Sequence, residues 1–216
     1  MKLKNIEHQE QVFQNVIPGI GGIDRNYYSP IKAGRLDLPV EADGWACFPK
    51  APKVATLNGI ANISIEMRHA IMTNFAVLKM KERQNLYNEC GHFGGDDLRK
   101  MDRTAECMRR IWMRQECGDI LVVPIKFSKI LRREKHSLPH LADNEFFLTI
   151  FSVLWISLAN PNVFANTLVK ESAILGDQFE GNKYFKLRFE FNKPKLTWLD
   201  IEETKKDMPY ITGFVI

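Results

Sequence analysis

The clearest change of period along the chain falls within residues 61–118. Asn62, Ser64, Glu66 and Arg68 alternate with Ile63, Ile65 and Met67, the period of two that marks a half-buried strand. From His69 the spacing changes. Ile71, Phe75 and Leu78 recur at helical intervals and predict a helix over residues 70–89. Cys90-Gly-His-Phe-Gly-Gly95 interrupts it, and Asp96 and Asp97 supply a capping oxygen and negative charge for a second helix. Its apolar stripe is Leu98, Met101, Ala105, Met108 and Trp112, with Arg99, Arg103, Arg110 and Arg114 mainly on the other side. Gly118 stands where a left-handed cap would end that helix. The unit therefore reads strand, helix, helix.

The rest of the chain is patterned more loosely. Residues 2–17 fit a short amphipathic helix with Val12, Phe13, Val16 and Ile17 inward. Residues 19–59 are rich in Gly and Pro and read as an irregular arm with short strands near 35–40 and 45–48. Residues 120–130 form a continuous apolar run, a buried strand in which Pro124 suggests an edge or a bulge. Asp143 is placed to cap a helix over residues 144–159, apolar on nearly every face and so central in the core or in a subunit interface. Asn160-Pro161 marks another helix start, running to about Leu175. Phe185, Leu187, Phe189 and Phe191 alternate with Tyr184, Lys186, Arg188 and Glu190, a strand that residues 196–201 pair back upon. Residues 211–216 are a final strand. This order of elements predicts an α+β fold, one domain over residues 1–216 with 1–59 an extended N-terminal arm.

Composition alters this picture little. The chain has 216 residues, is 45% hydrophobic and 26% charged, which is ordinary for a packed core and argues against disorder. The net charge of +4 is only mildly basic, so the arrangement of charge carries more information than its sum. The first ten residues carry both signs of charge and no apolar secretory segment. The longest nearly apolar run, residues 146–159, is shorter than the about 20 residues a spanning helix needs. Four cysteines make no disulfide framework in a chain of this length. A cytoplasmic protein with reduced thiols is expected.

Catalytic and metal motifs are weak. Cys90, His92, Cys107 and Cys117 match no common zinc spacing, and Pro139 breaks the helix that would align His136 with His140. Gly19-Ile-Gly-Gly22 lacks the spacing of a dinucleotide-binding loop, and no Ser sits in G-x-S-x-G. The expectation is a protein that is not an enzyme and takes no cofactor or metal. Arginines offer more. Arg99, Arg103, Arg110 and Arg114, with Lys129, Arg132 and Arg133 further on, are suited to bidentate contact with phosphates. The plain alternative is a solvated helix face partnered by Asp102, Glu106 and Glu116. Asn62, Ser64, Glu66 and Arg68 have the residue types that read base edges from a strand, as two-stranded ribbons do in the major groove.

Three short anchors carry a resemblance. Ala61-x-Ile63-x-Ile65-x-x-Arg68-His69-Ala70, Val123-Pro-Ile-Lys-Phe127 and Leu141-Ala-Asp-Asn-Glu145 resemble, in the same order, stretches of the AcaB-type family of transcriptional regulators. That family is encoded on integrative conjugative elements and large conjugative plasmids. The resemblance implies a double-stranded DNA-binding regulator of conjugation genes with a ribbon-helix-helix-like element and a homodimeric state. Two other readings stand beside it. In one, the chain is a protein–protein adaptor or inhibitor from a phage or plasmid, using residues 146–159 and the aromatic residues of 27–48. In the other, it is an RNA-binding part of a nucleoprotein complex, stacking bases on aromatics of the 184–191 strand.

Overall fold

The computed structural model describes residues 2–60, 63, 65–94, 98–128, 138–165, 171–179, 183–190, 193–200 and 208–216. Within them the chain is mixed α and β, with seven helices and a large mixed sheet. Asn5 accepts from the His8 amide and starts α1 (Ile6–Val16), which turns Phe13 and Val16 inward. Residues 19–59 are more regular than their Gly and Pro content suggests. Asp24 accepts from the Asn26 and Tyr27 amides to cap α2 (Arg25–Lys32). Then come β1 (Gly44–Pro49) and α3 (Ala51–Leu57), with Pro52 in the first turn, where a missing N–H does no harm. Phe48, Val54 and Ala55 are wholly buried in the main core.

The strand expected ahead of the first long helix does not form over Ile65–Arg68, which is instead the first turn of α4 (Ile65–Gln84). The alternation covers too few residues to decide, and Met67, one of its apolar members, is exposed in the helix. His69, Met72, Ala76 and Met80 are buried at steps of three and four, and burial of that face decides the conformation. Asn85, with φ 54°, ends the helix sooner than expected. After β2 (Tyr87–Asn88), Arg99 and Lys100 form β3, so the second helix, α5 (Asp102–Arg114), begins later than the acidic pair suggested. Its buried face is Thr104, Cys107, Met108 and Ile111, while Ala105 is exposed. Gly118 is not left-handed. A Cβ on it would lie 2.3 Å from the Asp24 amide nitrogen, and this close backbone approach is what requires glycine. A strand–helix–helix unit of the ribbon-helix-helix kind is therefore not confirmed.

β4 (Ile120–Ser128) forms as a buried strand, but it lies between β1 and β9 and pairs with β1 through Pro124 without a bulge. The long helix predicted over residues 144–159 divides into β5 (Glu145–Phe147) and a shorter α6 (Ile150–Ala159), with Thr149 rather than Asp143 as its cap. α7 (Pro161–Phe164) is a single turn. Residues 171–175, expected in helix, belong to β6 (Glu171–Phe179). β7 (Lys183–Glu190), β8 (Lys193–Asp200) and β9 (Tyr210–Phe214) agree with the alternation in the sequence. The strand order is β1-β4-β9-β6-β7-β8-β2, with β3 beside β6 and β5 beside β9. β2 on β8 and β6 on β9 run parallel; the other pairs are antiparallel.

All ten residues of α6 are buried, so its terminal N–H and C=O groups cannot turn to water and need partners from the protein. At its start, Asp177 Oδ2 accepts from the Ile150 amide at 2.6 Å and Thr149 Oγ1 from the Ser152 amide at 3.1 Å. His69 Nε2 lies 2.8 Å from the other Asp177 oxygen, and both side chains are buried. At its end, Gln84 donates to the Ser157 and Leu158 carbonyls, and Asn160 donates to Ile156. Asn160 also donates to Gln9. The Gln9 amide accepts from Cys47 N–H and donates to the Trp45 carbonyl, closing the outer edge of β1 as a strand would. Gln115 does the same for β4, bonding both the N–H and the C=O of Val122 at 2.8 Å.

Asp177→Ala is expected to strip acceptors from both the Ile150 amide and His69. Each buried group left without its partner costs about 1–3 kcal/mol. Urea unfolding should show a lower midpoint with an unchanged slope; a shift below about 1 kcal/mol would contradict this account of the α6 terminus.

Candidate nucleic-acid interface

α5 presents the basic surface that the sequence pointed to, but not all of its arginines are available. At 100° per residue, Arg103, Arg110 and Arg114 fall within about 40° of one another around the helix, on one exposed edge. Arg103 is engaged by the fold. Its Nε donates to the Glu145 carbonyl at 2.8 Å and a second guanidinium nitrogen donates to the Ala142 carbonyl. Next to it, the buried Thr104 hydroxyl donates to the Phe147 carbonyl at 2.9 Å. These bonds seat α5 on β5 and the segment leading into it.

Glu106 binds Arg109, not the basic edge. Two bonds of 2.9 and 3.1 Å join them one helical turn apart, holding the Glu106 carboxyl below its usual range and raising Arg109. Arg110 and Arg114 are exposed, and neither makes an ion pair or hydrogen bond with a described residue. Arg99, on the two-residue β3, is likewise exposed. Its neighbour Lys100 lies over the Trp112 ring, 5.9 Å from the centroid, and ties β3 to α5. Beyond Arg114, Tyr27 of α2 is half-buried; burial pushes its hydroxyl up to about 12, while the Arg114 charge opposes that rise. At the C-terminal end of α5, Lys50 Nζ donates to the Gln115 carbonyl at 2.5 Å, the position where a cation best meets the helix dipole.

The base-reading row is changed more deeply. Asn62 and Ser64 lie outside the described residues, and Glu66 is in the first turn of α4 rather than on a strand. Arg68 is half-buried and donates to the Ile63 carbonyl at 3.1 Å. Lys129, Arg132 and Arg133 lie outside the described residues. The structure thus brings Arg103, Arg110 and Arg114 together, holds Arg99 on the adjoining strand, and gives no strand edge over residues 65–68.

The surfaces invoked by the other readings are partly taken up by the fold, although Tyr27 and Trp45 remain half-buried. α6 is buried within its own chain, Tyr28 and Phe48 pack into the main core, and Tyr184, Phe185 and Phe189 are buried. No group of three or more His, Cys, Asp or Glu residues gathers at metal-binding distance among the described residues. No described helix is long and apolar enough to cross a membrane. Sequence patterning missed the polar residues that fix the scaffold. Gln9 was the most findable: it precedes Phe13 by four positions, a polar residue on an otherwise apolar face. No family model matches the chain, and no curated protein or solved structure matches it.

The two kinds of arginine should separate experimentally. Arg103→Ala is expected to lower stability by about 1 kcal/mol, the net value of its bonds to carbonyls. Arg110→Ala and Arg114→Ala should each stay within about 0.5 kcal/mol of the parent. Equal losses at all three positions in urea unfolding would show that the edge is structural throughout.

Proposed function

We propose that the chain is a double-stranded DNA-binding transcriptional regulator of a mobile genetic element, acting as a homodimer. The observation that carries this reading is the pair Arg110 and Arg114. They stand one turn apart on an exposed helix edge, and neither forms a salt bridge with a described carboxylate; Glu106, whose charge Arg110 also feels, is hydrogen-bonded to Arg109. Unpaired guanidinium groups on a rigid element are suited to phosphate oxygens, which accept two parallel N–H bonds. Arg99 extends the same chemistry onto β3. Support also comes from the likeness of the three sequence anchors to AcaB-type regulators. One of these anchors, Leu141–Glu145 in this chain, supplies the two carbonyls that hold Arg103.

In this reading α5 grips backbone, not bases. Its exposed face mixes Asp102, Glu106 and Met113 with the arginines, a poor set for base edges and an adequate one for lying along a phosphate strand. Base discrimination belongs to another part of the chain. The adaptor and RNA readings have less in their favour, because α6 and the described aromatics of β7 are buried.

A gel-shift or fluorescence titration with duplex DNA across a salt series tests this. Affinity should fall steeply with salt. Arg110→Ala with Arg114→Ala should flatten the log–log slope by about 2 for each subunit, about 4 for the dimer, one unit for each phosphate no longer neutralised. Affinity indifferent to salt, or no binding at about 50 mM salt, would reject the reading.

A further inference from the structure

We propose that the two copies of the dimer meet by a reciprocal exchange in which the loop of residues 34–42 of each copy enters a surface cleft of the other. This rests on the dimeric half of the reading above and not on DNA binding.

The loop is built to be presented. Its near end is tied by the Arg35 and Leu36 amides to the Pro30 carbonyl, at 2.8 and 3.2 Å. Its far end is tied by the Asp43 amide to the Ile125 carbonyl at 2.8 Å, and by Asp43 Oδ2 to the Phe127 amide at 2.7 Å. A turn closed by Ala42 N–H on the Pro39 carbonyl at 2.9 Å shapes the tip. With both ends held, the tip carries Leu38, Pro39 and Val40, and Val40 is 103% exposed, as open as a side chain in an extended peptide. An apolar tip on a clamped loop loses little conformational freedom when it docks.

The cleft opens beside the end of α4. It measures about 520 Å³ and is lined by Asn85, Pro161, Asn162, Ala165, Phe189 and Lys193. The apolar part accepts a proline and a branched aliphatic side chain; the amides and the lysine suit the polar backbone of a loop. Two ring contacts connect the loop's anchor to the cleft wall. Phe127, whose amide anchors the loop, packs edge-on against Phe164 at 5.6 Å, and Phe164 lies 6.2 Å from Phe189 in the cleft wall. A protrusion and a recess carried on one molecule can form a self-complementary patch, the condition for a closed two-fold interface.

Charge favours the same pairing. The loop exposes Asp37 and, beside the tip, Glu41, with one cation, Arg35, at its near end. The cleft carries the exposed Lys193, and the last turn of α4 leading into it carries Lys81 and Arg83. Glu41 already pairs with Lys126 of its own chain at 2.8 Å, so Asp37 is the loop acid left to meet Lys193 of the second copy. Two loop tips bury less than the about 1,200 Å² at the lower end of standard interfaces, so the dimer is weak, with a dissociation constant in the micromolar range.

Sedimentation equilibrium of the full chain without DNA, from about 1 to 200 µM, tests this around the micromolar constants that small interfaces support. The parent should pass from monomer to dimer across that range. Val40→Glu, which places a carboxylate in the apolar contact, should raise the dissociation constant about tenfold or more, with an unchanged circular dichroism spectrum. Asp37→Lys and Lys193→Asp should each weaken the dimer, and the two combined in one chain should restore it. A parent that stays monomeric, a dimer untouched by Val40→Glu, or a failure of the combined variant to recover would overturn the proposal. A monomer that still binds DNA in a salt-dependent way would remove this interface and leave the DNA-binding half of the proposed function standing.

Discussion

A ten-residue helix with no exposed face, α6, sets the terms for the whole structure. Burying its side chains is favourable, but its terminal amides and carbonyls go with them, and each left without a partner costs more than a typical hydrogen bond returns. The chain meets that requirement with side chains from far apart in sequence: Asp177 of β6, Gln84 of α4, Asn160 just past α6, and through Asn160 the Gln9 amide of α1. These bonds also fix geometry. Gly176 comes so near the segment before α6 that a Cβ would lie 2.3 Å from the Leu148 carbonyl oxygen, and Asp177 follows directly. The close approach of β6 and the carboxylate on the Ile150 amide are one arrangement.

How much of this could be read in advance follows from the same physics. Strands buried on one face, such as β7, announced themselves by alternation, and α6 announced its burial by having no polar face. Ile65–Arg68 was ambiguous because so short an alternation does not exclude a helix; the burial of His69, Met72, Ala76 and Met80 decided it. β6 was hidden for a different reason. Glu171–Gly176 follows a proline-started turn of helix, and without knowledge of β7 nothing local favours strand over helix there. Gln9 and Gln115, which finish two sheet edges, left only the trace of a polar residue at an apolar position.

The candidate site was half legible. The spacing of Arg103, Arg110 and Arg114 does put them on one edge of a helix, because α5 exists and is long enough. Sequence could not tell which of them would be free. That depends on tertiary neighbours: the carbonyls of Ala142 and Glu145, some forty residues away, engage Arg103. The choice of partner for Glu106 was equally hidden, since residues at three and four positions on either side include several that are basic.

Arg103 also explains why the two free arginines matter more than their number suggests. A lone helix with exposed guanidinium groups would move relative to the sheet, and each phosphate contact would have to order that motion first. Arg103 and Thr104 fix α5 against β5 on one side, and the cation of Lys100 over Trp112 fixes it to β3 on another. Arg99, Arg110 and Arg114 therefore sit on one framework, and the distance between them is set before any ligand arrives. The arginine withdrawn from phosphate binding contributes instead to the rigidity that lets the others act together. A mildly basic chain, whose net charge of +4 gives little long-range attraction, depends on that kind of preorganisation more than a strongly basic one would.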